Sequence, residues 1–480
     1  MSTSVERVLW TPQLVRVMAG LMLSLFVAAM DSTVVGTALP TIARELGRFE
    51  LYPWIVAGYL ITATTTVPIW GRLADIHGRR VVLLSGVLVF IVASALCAAS
   101  PGMGWLIAFR TLQGVGAGCI QPLVFTVIGD IFPLKQRARL QGFFSSMWAV
   151  AAIVGPALGA IFVSTIGWRW IFTINIPIGL LAAALVWGYR ERRPEQTTAR
   201  TLEVRGAVLL TAGVTLLLIG LGTGSQTATP IWPLVIAALT LLVAFVRVEW
   251  RSANPTVPLR LLRHRVIGPA IAIAAVAGTL MFGVTAYVPL WVQSVQGGSP
   301  YAAGVAVGAM SIGWPVMSTI AGFLMLRVGY QRLVVAGSLA LLIGSLMLAL
   351  GPLSLGVVWT GAATLVIGAG MGTFTAPLLI VIQSSVDWGR RGAATALNQF
   401  SRTIGGAVGV SLMGVMLQRY VASARAPLEG REQLHAGLYA DFIVLVVLAL
   451  VVLATAIAVL LASRKGGSGE LTDRERLSAV

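Results

Sequence analysis

Residues 71–80 read Gly-Arg-Leu-Ala-Asp-Ile-His-Gly-Arg-Arg and form a short polar segment between two long apolar runs. The runs on either side, 51–71 and 81–99, each hold about 20 residues. At a rise of about 1.5 Å per residue, a helix of this length crosses the ~30 Å hydrocarbon core of a bilayer. The segment therefore predicts a tight connection at a membrane surface between two membrane-spanning helices.

The composition of the whole chain supports this interpretation. Of its 480 residues, 57% are hydrophobic and 11% are charged, and the mean hydropathy is +0.89. A soluble globular protein has about 25% charged residues, so soluble multidomain enzymes are excluded. The sequence contains no P-loop, no metal-ligand cluster and no nucleophile paired with a base, and we therefore expect no enzyme activity, no metal and no cofactor.

Apolar runs recur along the entire chain, separated by charged or Gly/Pro-containing breaks. Fourteen of them are long enough to span a membrane, which predicts an all-α polytopic membrane protein. The predicted spans are 14–40, 51–71, 81–99, 105–128, 140–163, 168–188, 206–223, 231–247, 266–292, 301–326, 333–350, 357–384, 393–417 and 438–463. Because this number is even, both termini are expected on the same side.

The distribution of arginine and lysine indicates which side that is. If the N-terminus is cytoplasmic, 26 of the 34 basic residues fall in inner segments, six in outer loops and two, Arg110 and Arg402, within spans. Basic residues concentrate in cytoplasmic loops, so we predict cytoplasmic termini. This topology explains the formal net charge of +17, and no nucleic acid is expected as a partner.

A weaker copy of the 71–80 segment occurs in the second part of the chain. Residues 322–329 read Gly-Phe-Leu-Met-Leu-Arg-Val-Gly, with two glycines at the same separation and Leu326 in place of the acid. Internal repeats around a central site are typical of secondary transporters. The predicted units are an N-terminal six-helix half, 1–190, a linker with two inserted spans, 191–265, a C-terminal six-helix half, 266–463, and a disordered cytoplasmic tail, 464–480.

Two charged residues lie inside the predicted spans of the N-terminal half. Asp31 is about nine residues, roughly 13 Å, from the outer end of span one, and Arg110 is about 8 Å from the same surface in span four. Ionisable groups at such depths usually mark a transport pathway or a proton relay. We therefore expect Asp31 to carry a proton beside Arg110. A buried ion pair that only holds spans one and four together is the alternative.

The sequence resembles the major facilitator superfamily, and within it the fourteen-span drug:proton antiporter family. The resemblance covers nearly the whole chain, although Gly36, Ala151 and Ala160 depart from the family pattern. It lies in the stretches 30–40, 54–59, 71–80, 110–118, 155–159 and 168–177. The resemblance implies the major facilitator fold, with its helices grouped as 6 + 2 + 6.

The resemblance also implies a contact between the halves on the inner side, formed by the 71–80 segment with its glycines Gly71 and Gly78. In the family, the acid of this segment faces the start of the helix that corresponds here to span thirteen. Asp75 would then lie near Gly392 and Ala393, where the positive end of the helix dipole favours an acid. Arg79 would pair with Asp130 at the end of span four.

A second implied feature is the antiporter motif in span five, carried by Gly155, Pro156 and Gly159. Glycine and proline there give the helix a kink and a smooth face for close packing. The motif favours antiport over symport or uniport. A packing kink with no bearing on the direction of transport is the alternative.

The sequence gives the least information about which residues contact the substrate. The candidates for contact with substrate are Gln113, Met281, Phe282, Tyr287, Trp314 and Asn398. For the aromatic and methionine residues, packing in the core or against lipid is the alternative. We expect Asp441, near the outer end of span fourteen, to be solvated. Arg402 is expected to have a structural role, either by reaching the membrane interface or by pairing with Asp387.

Together these features predict a monomeric, proton-coupled multidrug exporter in a bacterial cytoplasmic membrane. Its partners would be protons, membrane lipids and small hydrophobic or amphipathic molecules. Export of an endogenous lipid or metabolite is the first alternative. A membrane sensor that has a transporter fold but no turnover is the second.

Overall fold

The computed structural model of the chain describes most of the predicted spans and connections. The described residues are 11–47, 51, 54–189, 204–223, 232–252, 255, 257, 259–351, 355–422 and 427–465. The predicted boundaries at 190/191 and most of the predicted tail, 466–480, lie outside them. Residues 464 and 465 belong to the last helix.

The described residues form sixteen α-helices, and no strand occurs among them. The helices are α1 Pro12–Leu46, α2 Trp54–Thr65, α3 Val67–His77, α4 Arg79–Ala98, α5 Met103–Ile131, α6 Leu134–Thr165, α7 Trp170–Thr173, α8 Asn175–Trp187, α9 Val204–Thr223, α10 Trp232–Arg251, α11 Ile267–Ser294, α12 Pro300–Val328, α13 Tyr330–Leu350, α14 Gly356–Ser384, α15 Arg391–Ala422 and α16 Pro427–Lys465. Two short 3-10 turns, Leu259–Arg263 and Trp388–Arg390, precede α11 and α15.

Every predicted span falls on one helix or on two consecutive helices. Within the described residues, eleven helical stretches are long and apolar enough to cross a membrane, and two more apolar helices, Trp54–Thr65 and Arg205–Leu217, are shorter. The structure is thus that of an all-helical membrane protein. The number fourteen and the cytoplasmic position of the termini remain predictions, and "inner" and "outer" below follow that predicted orientation.

The apolar side chains form separate cores in the two parts of the chain. Residues of α1 to α8 build the N-terminal cores, which Leu379 of α14 joins. Residues of α11 to α16 build the C-terminal core. Leu210 and Val214 of α9 and Phe245 of α10 belong to this second core, while α9 contacts both α15 and α2 of the N-terminal part.

The repeat noticed in the sequence is visible in the backbone. Gly78, between α3 and α4, has φ 96° and ψ 150°, and Gly329, between α12 and α13, has φ 82° and ψ 155°. Side chains disfavour a positive φ of this kind, which glycine adopts readily. The same turn therefore joins the same pair of helices in each half.

Close contacts between helices repeat as well. A Cβ atom on Gly116 of α5 would lie 2.7 Å from the Gly86 carbonyl oxygen, and one on Gly370 of α14 would lie 2.7 Å from that of Gly337. On α1 and α11, Thr33 donates to the Ala151 carbonyl of α6, and Thr279 donates to the Gly405 carbonyl of α15. These pairs make the two halves comparable residue by residue.

Candidate functional site

A group of polar side chains lies inside the N-terminal half, centred on Asp31 of α1. The Asp31 side chain is fully buried, and its Oδ2 is 2.7 Å from Arg110 Nη1 of α5. Its Oδ1 accepts hydrogen bonds from Gln113 Nε2 at 2.9 Å and from Asn175 Nδ2 at 2.7 Å. The structure therefore brings together Asp31, Arg110 and Gln113, which the sequence had singled out separately.

A serine on a fourth helix completes this group. Ser94 of α4 accepts a hydrogen bond from Gln113 Nε2 at 2.7 Å and donates to the Phe90 carbonyl at 2.8 Å. Arg110 Nη1 also donates to Gln113 Oε1 at 2.7 Å. We call Asp31, Ser94, Arg110, Gln113 and Asn175 the polar cluster; it links α1, α4, α5 and α8.

Aromatic rings close the space around Arg110. Its guanidinium carbon lies 4.2 Å from the ring centre of Tyr59 and 5.6 Å from that of Phe172. Such contacts stabilise a buried cation through the electron-rich ring faces. The charges of the cluster are those of Asp31 and Arg110, which face each other among buried side chains.

Sequence reasoning missed the part played by Ser94, Asn175 and Tyr59. Asn175 and Tyr59 lie in stretches that resemble the family, 168–177 and 54–59, but nothing there indicated contact with Asp31. Ser94 is one hydroxyl residue in an apolar run. Serine commonly bonds to its own helix backbone, so its sequence context gives no signal for a site.

On the inner side, Asp75 of α3 joins the two halves. Its carboxylate oxygens accept hydrogen bonds from the backbone N–H groups of Gly392, at 3.1 Å, and Ala393, at 2.9 Å, in the first turn of α15. Arg79 lies 2.9 Å from Asp75 and 3.1 Å from Asp130. We call these five residues the inner latch. The structure thus contains each contact that the resemblance implied.

Burial has a strong effect on the acid of the inner latch, which lies beyond the end of predicted span 51–71. It raises the pKa of Asp75 from 3.8 to about 7, against the opposing effects of Arg79 and the two backbone N–H groups. Asp75 therefore exchanges a proton near neutral pH while the latch is closed.

Further contacts reinforce the closed inner side. Gln383 of α14 donates to the Phe125 carbonyl at 3.2 Å and accepts from Arg137 at 3.3 Å. Gly71 packs so tightly against α15 that an added Cβ would lie 2.9 Å from the Gly392 carbonyl oxygen. The two halves are therefore in direct backbone contact at this end of the bundle.

The residues of the antiporter motif lie on α6, which runs unbroken from Leu134 to Thr165. Gly155 is buried against Thr33 of α1, two residues from Asp31. Gly159 is buried on the next turn, whereas the side chain of Pro156 lies outside the described part of the chain. Gly155 thus allows α6 to pack closely beside the polar cluster.

The predicted substrate residues other than Gln113 are spread over α11, α12 and α15. Tyr287 is buried and donates to the Val410 carbonyl at 2.7 Å, and Phe282 packs on Gly406. Met281 is half-buried against the C-terminal core. A cavity of about 560 Å³ at the outer ends of α1 and α5 is lined by Leu46, Gly102, Met103, Gly104, Trp105 and Ala108, and thus by none of the predicted substrate residues.

One expectation about a charged residue of the C-terminal half was wrong, and one of two alternatives for a second residue is not found. Asp441 is fully buried instead of solvated, because α16 begins at Pro427 and places this residue about four turns inside the helix. No ion pair joins Arg402 to Asp387 among the described residues; Asp387 is exposed, and the Arg402 guanidinium lies over the Trp314 ring at 5.7 Å.

Comparison with known proteins identifies the family. A family model described as Major Facilitator Superfamily matches residues 21–410. The chain belongs to this superfamily. The facilitator is 34% identical over 402 residues to the multidrug transporter protein MdtP of Bacillus subtilis (strain 168), which covers 83% of this chain and 74% of that protein. Multidrug resistance protein 3 of the same strain is 31% identical over 404 residues, 83% of this chain and 79% of that protein.

A solved structure supports the fold of the facilitator. The human organic anion transporter MFSD10 matches with a TM-score of 0.67 at 16% identity, over 93% of this chain and 100% of that chain. At this identity the likeness shows the fold alone. The predictions of the superfamily and of a multi-pass membrane transporter rather than an enzyme are confirmed.

Proposed function

We propose that this facilitator is a proton-coupled exporter of hydrophobic or amphipathic small molecules that works by alternating access. The observation that carries the proposal is the buried carboxylate of Asp31, held by Arg110, Gln113 and Asn175. Export of drugs is supported by the relatives, which are named as multidrug transporters.

The proposed coupling follows from the hydrogen bonds of the polar cluster. Ionised Asp31 accepts two neutral hydrogen bonds and one from the Arg110 guanidinium, and charge-assisted bonds of this kind are the strong ones. Protonation removes the negative charge, so the contact with Arg110 weakens and α1 and α5 are free to shift. Proton binding from the outside and release to the inside would thus alternate with movement of the halves.

The proton gradient supplies enough free energy for this cycle. One positive charge that moves inward through a potential of 100 mV releases about 2.3 kcal/mol. Because each 1.4 kcal/mol corresponds to a factor of ten, one proton supports a concentration ratio of roughly fifty. The hydrogen bonds and ion pairs of the inner latch must break in each cycle. The free energy by which they stabilise the closed state therefore has to be smaller than the amount that one proton supplies.

The predicted architecture belongs to the same proposal. Fourteen spans in a 6 + 2 + 6 arrangement, with units 1–190, 191–265 and 266–463, place both termini in the cytoplasm. The Gly155 and Gly159 face favours antiport. We place the protein, as a monomer, in a bacterial cytoplasmic membrane, where an inward proton gradient is available.

The test is transport by the purified protein in proteoliposomes with a lumen more acidic than the bath. Accumulation of ethidium, a cation, and of 8-anilinonaphthalene-1-sulfonate, an anion, is followed by fluorescence, and proton movement is followed with a lumenal pH dye. Asp31→Asn keeps a hydrogen-bonding side chain but cannot carry a proton, so we expect pH-driven accumulation to fall at least tenfold.

Glu45→Gln is the matched control, because it removes a half-exposed acid from the outer end of the same helix. It should transport like the wild type. Full pH-driven transport by Asp31→Asn would contradict the proposed coupling. A wild-type protein that binds these dyes but moves neither dye nor protons would favour the sensor instead.

A further inference from the structure

Arg402 lies in the C-terminal half at the same depth as Asp31. The α11 residue that packs against its backbone is Gly278. Thr279 of α11 corresponds to Thr33 of α1 through their equivalent hydrogen bonds, so Gly278 corresponds to the residue next to Asp31. Arg402 is also eleven residues, roughly 16 Å, from the start of α15. A guanidinium is therefore held well inside the bundle.

The surroundings of Arg402 differ from those of Arg110. Arg402 is partly exposed, and its guanidinium lies over the face of Trp314. No carboxylate, carbonyl or hydroxyl among the described residues accepts a hydrogen bond from it. An arginine has five N–H donors and keeps its charge, and an ionisable residue at such depth is a marker of function.

A second polar group without a partner lies one helical turn away. Asn398 is 8% exposed, and its Oδ1 atom accepts no hydrogen bond from the described residues. Residues four apart on a helix occupy the same face. Buried amide oxygens are normally hydrogen-bonded, so Asn398 and Arg402 together present a free acceptor beside free donors.

We propose that Arg402, Asn398 and Trp314 form a binding site for the anionic head group of an amphipathic molecule. A carboxylate, sulfonate or phosphate accepts two parallel hydrogen bonds from the guanidinium. The Asn398 oxygen accepts from a hydroxyl or amide N–H on the same ligand, and the Trp314 ring packs on its apolar part. This inference rests on the proposed export function and names its substrate class.

The charge of such a substrate favours its export. A negative charge that leaves the cell and a proton that enters it both move with an inside-negative membrane potential. A cationic substrate would move against that potential. The proposed site therefore suits a proton-coupled exporter that uses the membrane potential as well as the pH gradient.

The test compares cholate with its neutral methyl ester, both radiolabelled and below micellar concentration. The full-length protein is reconstituted in phosphatidylcholine nanodiscs, and binding is measured by equilibrium dialysis. We expect the wild type to bind cholate at least tenfold more tightly than the ester. Arg402→Gln should remove that preference by weakening cholate binding at least tenfold, with ester binding changed less than twofold.

Two further variants separate an anion site from a structural role. Arg402→Lys should restore part of the preference, because lysine keeps the charge but not the planar fork. Arg419→Gln removes an exposed arginine from the last turn of the same helix and should bind as the wild type. Size-exclusion profiles and thermal unfolding midpoints verify that all variants are folded.

The outcomes distinguish this inference from the proposed function. Equal binding of the two ligands by the wild type, or equal losses of both in Arg402→Gln, overturns the anion site. If added phosphatidylglycerol competes with cholate in the wild type but not in Arg402→Gln, the site also takes a lipid phosphate. Absence of pH-driven transport with an intact cholate preference would refute only the proton coupling.

Discussion

The polar cluster and the equivalent positions of the C-terminal half share a backbone arrangement but differ in chemistry. Gly86 and Gly116 bring α4 and α5 together as Gly337 and Gly370 bring α13 and α14 together. We align the halves on these glycine contacts and on the equivalent hydrogen bonds of Thr33 and Thr279. In this alignment Asp31 corresponds to Ala277, Ser94 to Ser345, Arg110 to Thr364 and Gln113 to Ile367. Only Ser94 thus keeps its residue type, and the charged and amide side chains of Asp31, Arg110 and Gln113 are replaced by residues that are neither charged nor amides.

This difference separates the requirements of the fold from those of the proposed coupling. Glycine contacts are kept in both halves because two helix backbones approach closely in each. The charges are not needed for that approach, since α13 and α14 pack without them. Two charged groups inside the helices of the C-terminal half, Arg402 and Asp441, lie elsewhere and have no ion-pair partner among the described residues. We infer that the halves divide the work, with proton exchange in one and substrate contact in the other.

The largest expected effect comes from Arg110→Leu compared with Thr364→Val at the equivalent position. Arg110→Leu leaves Asp31 buried without its cation, which costs about 3–5 kcal/mol. Thr364 donates to the Ala306 carbonyl, and loss of one neutral hydrogen bond costs about 1 kcal/mol. The losses of stability in the two variants are measured by thermal unfolding with a thiol-reactive fluorophore. Cys97 and Cys119 are buried and free, so they react with the fluorophore when the protein unfolds.

A double variant, Asp31→Asn with Arg110→Gln, serves as the control for this comparison. It removes both charges and keeps polar side chains, so most of the lost stability should return while pH-driven transport stays absent. If Thr364→Val destabilised the protein as much as Arg110→Leu, the proposed contrast between the halves would be wrong.

The sequence was sufficient for features that depend on depth along one helix. Apolar runs of about 20 residues located the spans, and the positions of Asp31 and Arg110 in their spans predicted that these charges share the outer half of the membrane. The resemblance placed Asp75 against the start of α15, where the structure has it. In each case the information is carried by position along the chain and by charge.

Features that depend on several helices meeting at one point could not be predicted. Asn175 reaches Asp31, and Ser94 reaches Gln113, only because α4 and α8 converge on α1 and α5. No periodicity encodes that convergence. Arg402 and Asp387 are close in the sequence, which suggested an ion pair. In the structure the guanidinium is inside the bundle, eleven residues into α15, while the acid precedes α15 and is exposed.

The second-largest effect is expected from Gly71→Ala, which tests whether the inner latch closes only with a glycine at this position. Gly71→Ala adds a Cβ that collides with Ala396 and lies 2.9 Å from the Gly392 carbonyl oxygen. Overpacking of this kind costs about 1–3 kcal/mol, here in the closed state alone. We expect the inner side to open, seen as longer distances between spin labels at positions 77 and 327 in a background without cysteine.

Two further variants make this prediction specific. Gly104→Ala should leave the distances unchanged, because no atom lies within 4 Å of a Cβ there. Ala396→Gly added to Gly71→Ala removes the Ala396 methyl group but not the contact with the Gly392 carbonyl oxygen, so it should close the inner side part of the way. Unchanged distances in Gly71→Ala would show that the helices shift without opening the latch.

A smaller effect follows from the pKa of Asp75. Burial raises it to about 7 in the closed latch, whereas water around an open latch returns it toward 3.8. The closed state then binds the proton more tightly, so a fall in pH from 7 to 4 favours closure and a rise through 7 favours opening. We expect the ratio of closed to open molecules to change by up to tenfold, or about 1.4 kcal/mol, for each pH unit within this window.

The same spin-label pair measures this dependence on pH. Asp75→Asn cannot titrate and should give distances that do not change between pH 4 and 7. Above about pH 8 the wild type should also be insensitive, because the acid is ionised in both states. A wild-type protein that opens as the pH falls would show that the ionised acid, not the protonated one, is favoured in the closed latch.

The smallest effect is expected at Asp441, the buried acid of the C-terminal half. Neither of its carboxylate oxygens has a hydrogen-bond partner among the described residues, in contrast to the three bonds of Asp31. Asp441→Asn removes a buried carboxylate that makes no hydrogen bonds, so no hydrogen bond is lost. We therefore expect the variant to be more stable than the wild type, by about 1 kcal/mol at most. Transport driven by pH should stay within twofold of the wild type, whereas Asp31→Asn loses it. If Asp441→Asn also abolished pH-driven transport, both halves would exchange protons, and the division of work inferred from their different chemistry would not hold.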